Sequence, residues 1–267
     1  MNKLPKVHFL ANELQQPTNP IKINLIGAGG TGSFFLSGLA RLNEALTAHG
    51  HAGLDVRLWD GDRVSTNNIG RQLFATSEIG LYKSVTLINR INRFFGTSWS
   101  AEARYFSNMP NGIQNSELLA SIYISCVDNI QTRFDLSTIL NNTKQFNNQV
   151  NRPRYWIDLG NSKDTGQIIC STIGHIAQPD SRKFIPVGQL PFITEEFESL
   201  LRSGEKDDNT PSCSLVDSLK KQSLFINSTL ANLGCDMLTT LLFEGCLMER
   251  GILLNLKTRH CRPLPFD

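Results

Sequence analysis

The stretch IGAGGTGSFF, residues 26–35, constrains the fold more than any other part of the chain. Its glycines follow the short apolar run Ile21–Ile26 and lead into residues 31–48, where Phe34, Phe35, Leu39 and Leu42 recur at helical spacing. Strand, glycine turn and helix in that order form the opening of a nucleotide-binding βαβ unit. Gly27, Gly29, Gly30 and Gly32 fit G-x-G-x-x-G with one extra glycine. The first glycine permits the tight turn, the second lets backbone N–H groups approach a phosphate, and the last allows close helix packing. The helix N-terminus then offers unpaired donors and a positive dipole end to the anion. A glycine-rich turn of purely structural purpose is the plain alternative, and the flanking strand and helix argue against it.

Further along, Leu54–Trp59 alternates as a strand and ends at Asp60, placed to accept hydrogen bonds from ribose hydroxyls. Residues 79–95 have helical spacing, 99–105 and 118–127 look like strands, and 131–140 like a helix. Strands at 155–159 and 167–173 follow. This alternation predicts an α/β, doubly wound, Rossmann-like and mostly parallel sheet. Residues 1–20, polar and holding three prolines, read as a loosely attached arm, and 21–177 as the nucleotide-binding core. Prolines break the pattern over 178–213, an irregular crossover with the polar loop GEKDDNTP. Residues 214–267 complete the same domain with a helical segment, a short strand at 252–256 and a proline-rich tail.

A net charge of +2 without dense Lys/Arg blocks argues against nucleic acid as a partner. No apolar run approaches the roughly 20 residues that cross a bilayer, and residues 1–20 lack the apolar core of a secretory signal. The expectation is a cytoplasmic protein. The six cysteines form no C-x-x-C pair, so no structural zinc is expected and most should be free thiols. His49 and His51 read as a solvated loop, and His175 as a strand end.

The glycine turn and Asp60 suit a dinucleotide oxidoreductase as well as an ATP user. The following stretch, DGDRVSTNNIGRQLF at 60–74, discriminates. Hydride transfer leaves a pyrophosphate intact, whereas cleaving the α–β bond of ATP builds charge that Arg, Lys and a metal must neutralise. Arg71 and Lys83 are the obvious cations, and Asp128, just past a buried strand, is the further carboxylate. The bland reading makes these three surface residues in weak ion pairs; their occurrence at successive strand ends counts against it.

These residues resemble the ThiF/MoeB superfamily of ubiquitin-like-protein-activating enzymes. The matching motifs are GAGGTG at 27–32, D-x-D-x-V at 60–64, N-I-G-R-Q at 68–72, G-x-x-K at 80–83 and D-N-x-x-T-R at 128–133. IDLGNSKDTGQI at 157–168 looks like a later family segment. The match spans about residues 21–175, and the last third is most similar to the ThiF-family protein of the bacterial PRTRC gene system.

The resemblance implies attack by the C-terminal carboxylate of a small ubiquitin-like β-grasp protein on the α-phosphate of ATP, giving an acyl-adenylate and pyrophosphate. By the same resemblance Asp60 holds the ribose, Asn68, Arg71 and Lys83 contact phosphates, Gln72 supports them, and Asp128 places Mg²⁺ and the α-phosphate, with Asp62 and Asn129 beside them. A homodimer is implied, and a conjugating-enzyme-like protein is a possible further partner. The family often draws an arginine from the partner subunit's N-terminal segment, yet this chain has no Arg before Arg41, so Lys3, Lys6 or Lys22 substitutes or the contact is missing. TPSCSL at 210–215 looks like the family's P-x-C-T-L. It places Cys213 where the crossover meets a helix, where a lowered pKa would suit thioester formation. The competing expectations are an inert thiol at 213, an NAD(P)-dependent oxidoreductase, adenylation of a small-molecule or tRNA-linked carboxylate, and a binding scaffold without turnover.

Overall fold

A computed structural model describes residues 4–106, 118–143, 151–203 and 222–266. Its centre is an eight-stranded sheet. In chain order the strands are β1 (Lys6–Phe9), β2 (Ile21–Ile26), β3 (Leu54–Trp59), β4 (Ser100–Glu102), β5 (Ile122–Ser125), β6 (Tyr155–Asn161), β7 (Thr165–Thr172), β8 (Ile185–Pro186), β9 (Cys246–Leu247), β10 (Gly251–Asn255) and β11 (His260–Leu264). The main sheet runs β11-β10-β7-β6-β5-β2-β3-β4, and β8-β1-β9 form a small second sheet.

From β4 across to β6 all pairings are parallel, whereas β7, β10 and β11 add on antiparallel. The chain starts in the middle at β2, winds outward through β3 and β4, then returns to β5 on the other side. The break between β2 and β5 is the switch point at which such sheets bind ligands. Register makes it a level edge, with Ile26 opposite both Trp59 and Ser125. The residues that leave these strands therefore emerge together.

Helices α1 (Gly30–Ala48), α2 (Lys83–Phe95) and α6 (Ile226–Glu244) contribute Leu39, Leu87 and Leu230 to one apolar cluster, the face that also buries Leu25 and Val56 of the sheet. Helix α3 (Ile130–Asn142) and the short α4 (Ile193–Glu196) and α5 (Glu198–Ser203) lie in the other cluster, where Leu136, Phe192 and Ile193 pack with Trp59 and Trp156. The result is the doubly wound, three-layered α/β arrangement. No helix among the described residues is long and apolar enough to cross a membrane.

Four differences from the sequence expectations have local causes. Residues 6–14 are not a loose arm: β1 pairs with β8 and β9, and Val7, Leu10, Ala11 and Leu14 are buried. The alternating KVHFLA pattern outweighs the neighbouring prolines. The helix expected from 79 starts at Lys83, because Gly80 takes a left-handed φ of +92° and Arg63 bridges Tyr82, tying 79–82 to 63–64. The strand expected over 99–105 stops at Glu102, which frees Tyr105 to turn toward the site. The proline-rich tail forms β11, with Pro263 on an edge strand, where no ladder donor is required of it. Of the expected crossover, residues 178–203 carry β8, α4 and α5, whereas GEKDDNTP and Cys213 lie outside the described residues.

β1 is held by a network that proton uptake would disturb. His8 is fully buried, with Nδ1 2.6 Å from the Val187 carbonyl and Nε2 3.0 Å from the Tyr155 hydroxyl. The Tyr155 oxygen in turn accepts from the Ala11 N–H. Burial lowers the imidazole below its ordinary value of 6.5, and the Val187 bond only partly opposes this. The unfolded chain therefore binds the proton more readily, so stability is full above 6.5 and falls as pH drops from there toward the folded-state value. Urea midpoints at pH 7.5 and 5.5 should show this acid loss in the parent, and His8→Gln should show a smaller one.

Candidate active site at the switch point

The turn after β2 is built so that no side chain other than hydrogen fits at its ends. Gly27 has φ +98°, and a Cβ there would lie 2.7 Å from the Cys126 carbonyl oxygen. Its N–H donates to the Trp59 carbonyl at 2.9 Å, which ties the exits of β2 and β3 together. A Cβ on Gly32 would sit 1.9 Å from the Gly27 oxygen, so the helix must pack directly on the turn. Gly29 is different: the nearest atom to its Cβ position is Nε2 of Gln72, at 3.9 Å. Gly29 caps α1 and, having no side chain, leaves the first-turn N–H groups without a side-chain cap among the described residues. Helix N-termini of this kind suit anions.

Asp60 braces the turn. Oδ2 accepts from the Ala28 N–H at 2.6 Å and Oδ1 from the Asp62 N–H at 2.8 Å. Burial raises its carboxyl, and the Ala28 bond and the Lys83 charge offset part of that rise. Each oxygen keeps a further lone pair, so a ribose hydroxyl can still be accepted.

Lys83 is the first residue of α2, and its side chain is about 8% exposed. Its ammonium lies 2.9 Å from Oδ2 of Asp62, whose Oδ1 accepts a short hydrogen bond from the Tyr105 hydroxyl. Burial pushes the Asp62 carboxyl up, but the bonds from Tyr105 and Lys83 outweigh it and hold the group below its usual value. A cation at a helix N-terminus opposes the dipole, so Lys83 is poorly placed for helix stability and well placed for an anion.

The turn at 65–72 supplies the remaining groups. Oδ1 of Asn68 accepts from the Ser65 N–H and hydroxyl, and the Asn68 carbonyl accepts from the Arg71 and Gln72 N–H groups. Asn68 thus shapes the turn that presents Arg71 and Gln72. Nε of Arg71 and Oε1 of Gln72 are both shut off from solvent without a hydrogen-bond partner among the described residues. Buried groups of that kind call for a partner.

Asp128 leaves the end of β5 exposed, near enough to Tyr105 for its charge to act on the phenol. Asn129 caps α3, accepting from the Thr132 N–H at 3.2 Å. Beneath them lies a buried ion pair that the motif reading left without a role. Arg133 Nε is 3.0 Å from both oxygens of Asp158, and Nη2 donates to the Val127 carbonyl at 2.7 Å. Ser125 adds a bond to Asp158, and Trp156 to Ser125. The last residue before Asp128 is therefore held from below.

Two more residues escaped sequence reasoning. Tyr105 reaches Asp62 from 43 positions away. Asn227 of α6 accepts from the Thr31 hydroxyl at 2.9 Å, its amide lying against Gly30. Neither carries a motif. The T-R of D-N-x-x-T-R was the available signal for Arg133.

The profile of the ThiF family matches residues 2–152, more than half of the 267. A comparison with curated proteins finds no match. Among solved structures, PaaA superposes with a TM-score of 0.59 at 15% identity, over 96% of this chain and 75% of that one. MccB of E. coli gives 0.56 at 16% identity, over 96% of this chain and 64% of that one. MccB crystallised with ATP gives 0.53 at 15%, over 95% and 65%. This chain thus spans slightly under two thirds of MccB, and at such identities the likeness speaks for the fold.

Removing one partner of the buried pair should be severe. Arg133→Met leaves Asp158 as an uncompensated buried charge, at a cost of about 3–5 kcal/mol. Equilibrium urea unfolding checks this, and a variant as stable as the parent would show that the pair does not anchor the site.

Proposed function

The chain belongs to the ThiF family of adenylating enzymes, and from that premise we propose that it activates the C-terminal carboxylate of a small ubiquitin-like β-grasp protein with ATP. A carboxylate oxygen of the carrier attacks the α-phosphorus, the bond to the β-phosphate oxygen breaks, and pyrophosphate leaves as the acyl-adenylate forms. The observation that carries this reading is the set of cationic and polar groups on the segments after β2 and β3 that keep hydrogen-bonding capacity, Lys83 included, since its bond to Asp62 uses one of three donors. The α1 N-terminus lacks a side-chain cap, Lys83 is nearly buried at another helix start, and Arg71 Nε is buried without a partner. A triphosphate would satisfy all three. A nicotinamide dinucleotide would use the glycine turn and Asp60 and leave Arg71 and Lys83 unemployed.

In this reading Asp60 holds the ribose, Arg71 and Lys83 take the charge that develops on the phosphates, and Gln72 supports them. Asp128 offers a hard, exposed oxygen donor suited to Mg²⁺, which is usually bound by one or two carboxylates together with substrate phosphates. Mg²⁺ would supply charge neutralisation at the phosphates. The chain's own contribution is to hold Asp128 on the Arg133-braced loop.

A polypeptide substrate fits the company the fold keeps. MccB is known with ATP and also with MccA. Adenylation of a small-molecule or RNA-linked carboxylate is the second reading, and the same assay separates it. A homodimer and a cytoplasmic setting belong to the same proposal.

Thioester transfer to Cys213 would follow, with Sγ attacking the acyl carbon and AMP leaving. The buried thiols do not compete for that role: burial raises Cys126, and pushes Cys170 and Cys235 up to about 12. If the transfer occurs, the carrier conjugate should be sensitive to reducing agent and disappear in Cys213→Ala.

Pyrophosphate exchange into ATP, dependent on a Gly-terminated β-grasp protein, is the decisive measurement. Arg71→Ala and Lys83→Ala should each lower exchange by about 10²–10³-fold, as loss of a transition-state charge contact does, with an unchanged circular dichroism spectrum. Tight NAD(P)H binding without exchange would overturn the assignment.

A further inference from the structure

Tyr105 is half-exposed, yet both ends of its side chain are engaged. Its ring lies against the backbone of Gly61, where a Cβ would approach ring carbons at 3.0–3.2 Å. Its hydroxyl donates to Oδ1 of Asp62. The other oxygen of the same carboxylate receives Lys83 Nζ at 2.9 Å. The charges of Asp60 and Asp128 also reach the phenol. One acid therefore holds the hydroxyl directly, and two more, one of them from a separate loop, act on it by charge.

Asp62 is exposed at nearly half of its side-chain surface, so an unassisted carboxylate there would sample several rotamers. Lys83 has four rotatable carbons' worth of freedom and needs a fixed partner to keep its ammonium at one point. Tyr105 supplies that restraint at one remove. It pins Asp62 by a charge-assisted bond, and Asp62 uses one of the three ammonium donors, leaving two for phosphate oxygens.

Resting on the adenylation reading, we propose that Tyr105 is a positioning residue for nucleotide binding, acting through Asp62 on Lys83. The ring's contact with Gly61 keeps the hydroxyl in place, and the hydroxyl does the work. Removing the O–H alone loosens Asp62 and lets the Lys83 ammonium wander from the phosphate position.

The test is a double-mutant cycle on Tyr105→Phe and Asp62→Asn, each read by equilibrium ATP binding and by carrier-dependent pyrophosphate exchange. Tyr105→Phe keeps the ring and its packing, and thermal melts check that the fold is kept. The expected result is about a tenfold loss of ATP affinity, the size of one hydrogen bond to a charged group, appearing in KM for ATP with little change in kcat. In the Asp62→Asn background the same substitution should cost less than about twofold, because the carboxylate through which Tyr105 acts is gone. Parental ATP binding in Tyr105→Phe, or losses that multiply in the double variant, would overturn the proposal while leaving the adenylation reading intact. A parent protein that neither binds ATP nor exchanges pyrophosphate would overturn both.

Discussion

The close passage of Gly27 by the exit of β5 is the constraint on which the site depends. With φ at +98° and room for only a hydrogen beside the Cys126 carbonyl, the two central strands end side by side at one level. That level edge decides which residues meet. The glycine turn leaves β2, Asp60 leaves β3 and Asp128 follows β5, so groups spread over 100 positions of sequence share one rim. Any side chain at 27 or 32 would force the turn off its neighbours. The backbone N–H groups it exposes would then no longer face the same space as the acids.

Charge is distributed unevenly around this rim. Below it, Arg133 and Asp158 are buried and paired, with further bonds to Val127, Leu159 and Ser125. Such a pair adds little net stability over apolar packing but fixes geometry firmly. On the rim itself, Lys83 and Asp62 are paired while Arg71 Nε and Gln72 Oε1 remain without partners. Buried polar groups without partners among the described residues also occur away from the rim, at His51, Thr194 and Arg250, but only at Arg71 and Gln72 do two such groups adjoin in sequence beside the glycine turn.

Much of the fold was legible from spacing alone. The glycine turn, the strand-end acid at 60, the cations at 71 and 83 and the acid at 128 each follow a recognisable local signal, and the strands and helices of the nucleotide-binding half fell close to their expected places. The boundaries that moved did so for tertiary reasons. Gly80 and the Arg63–Tyr82 bridge delayed α2 to Lys83. β1 was hidden by prolines and became a strand only because β8 and β9, about 180 and 240 residues further on, came alongside. Asn68 and Asn129 carry motif positions yet spend their carbonyl oxygens on a turn and a helix cap.

By itself the amino-acid order determined the elements of residues 21–177, the glycine turn and the identity of the charged groups, because periodicity and glycine placement are local properties. Only the tertiary structure decided what those groups touch. Tyr105 at Asp62, Arg133 beneath Asp128 and Asn227 against Gly30 are contacts between segments that no short-range pattern relates. They exist because parallel strands joined through helices bring distant strand ends to one edge, and distance along the chain carries no information about which side chains will meet there.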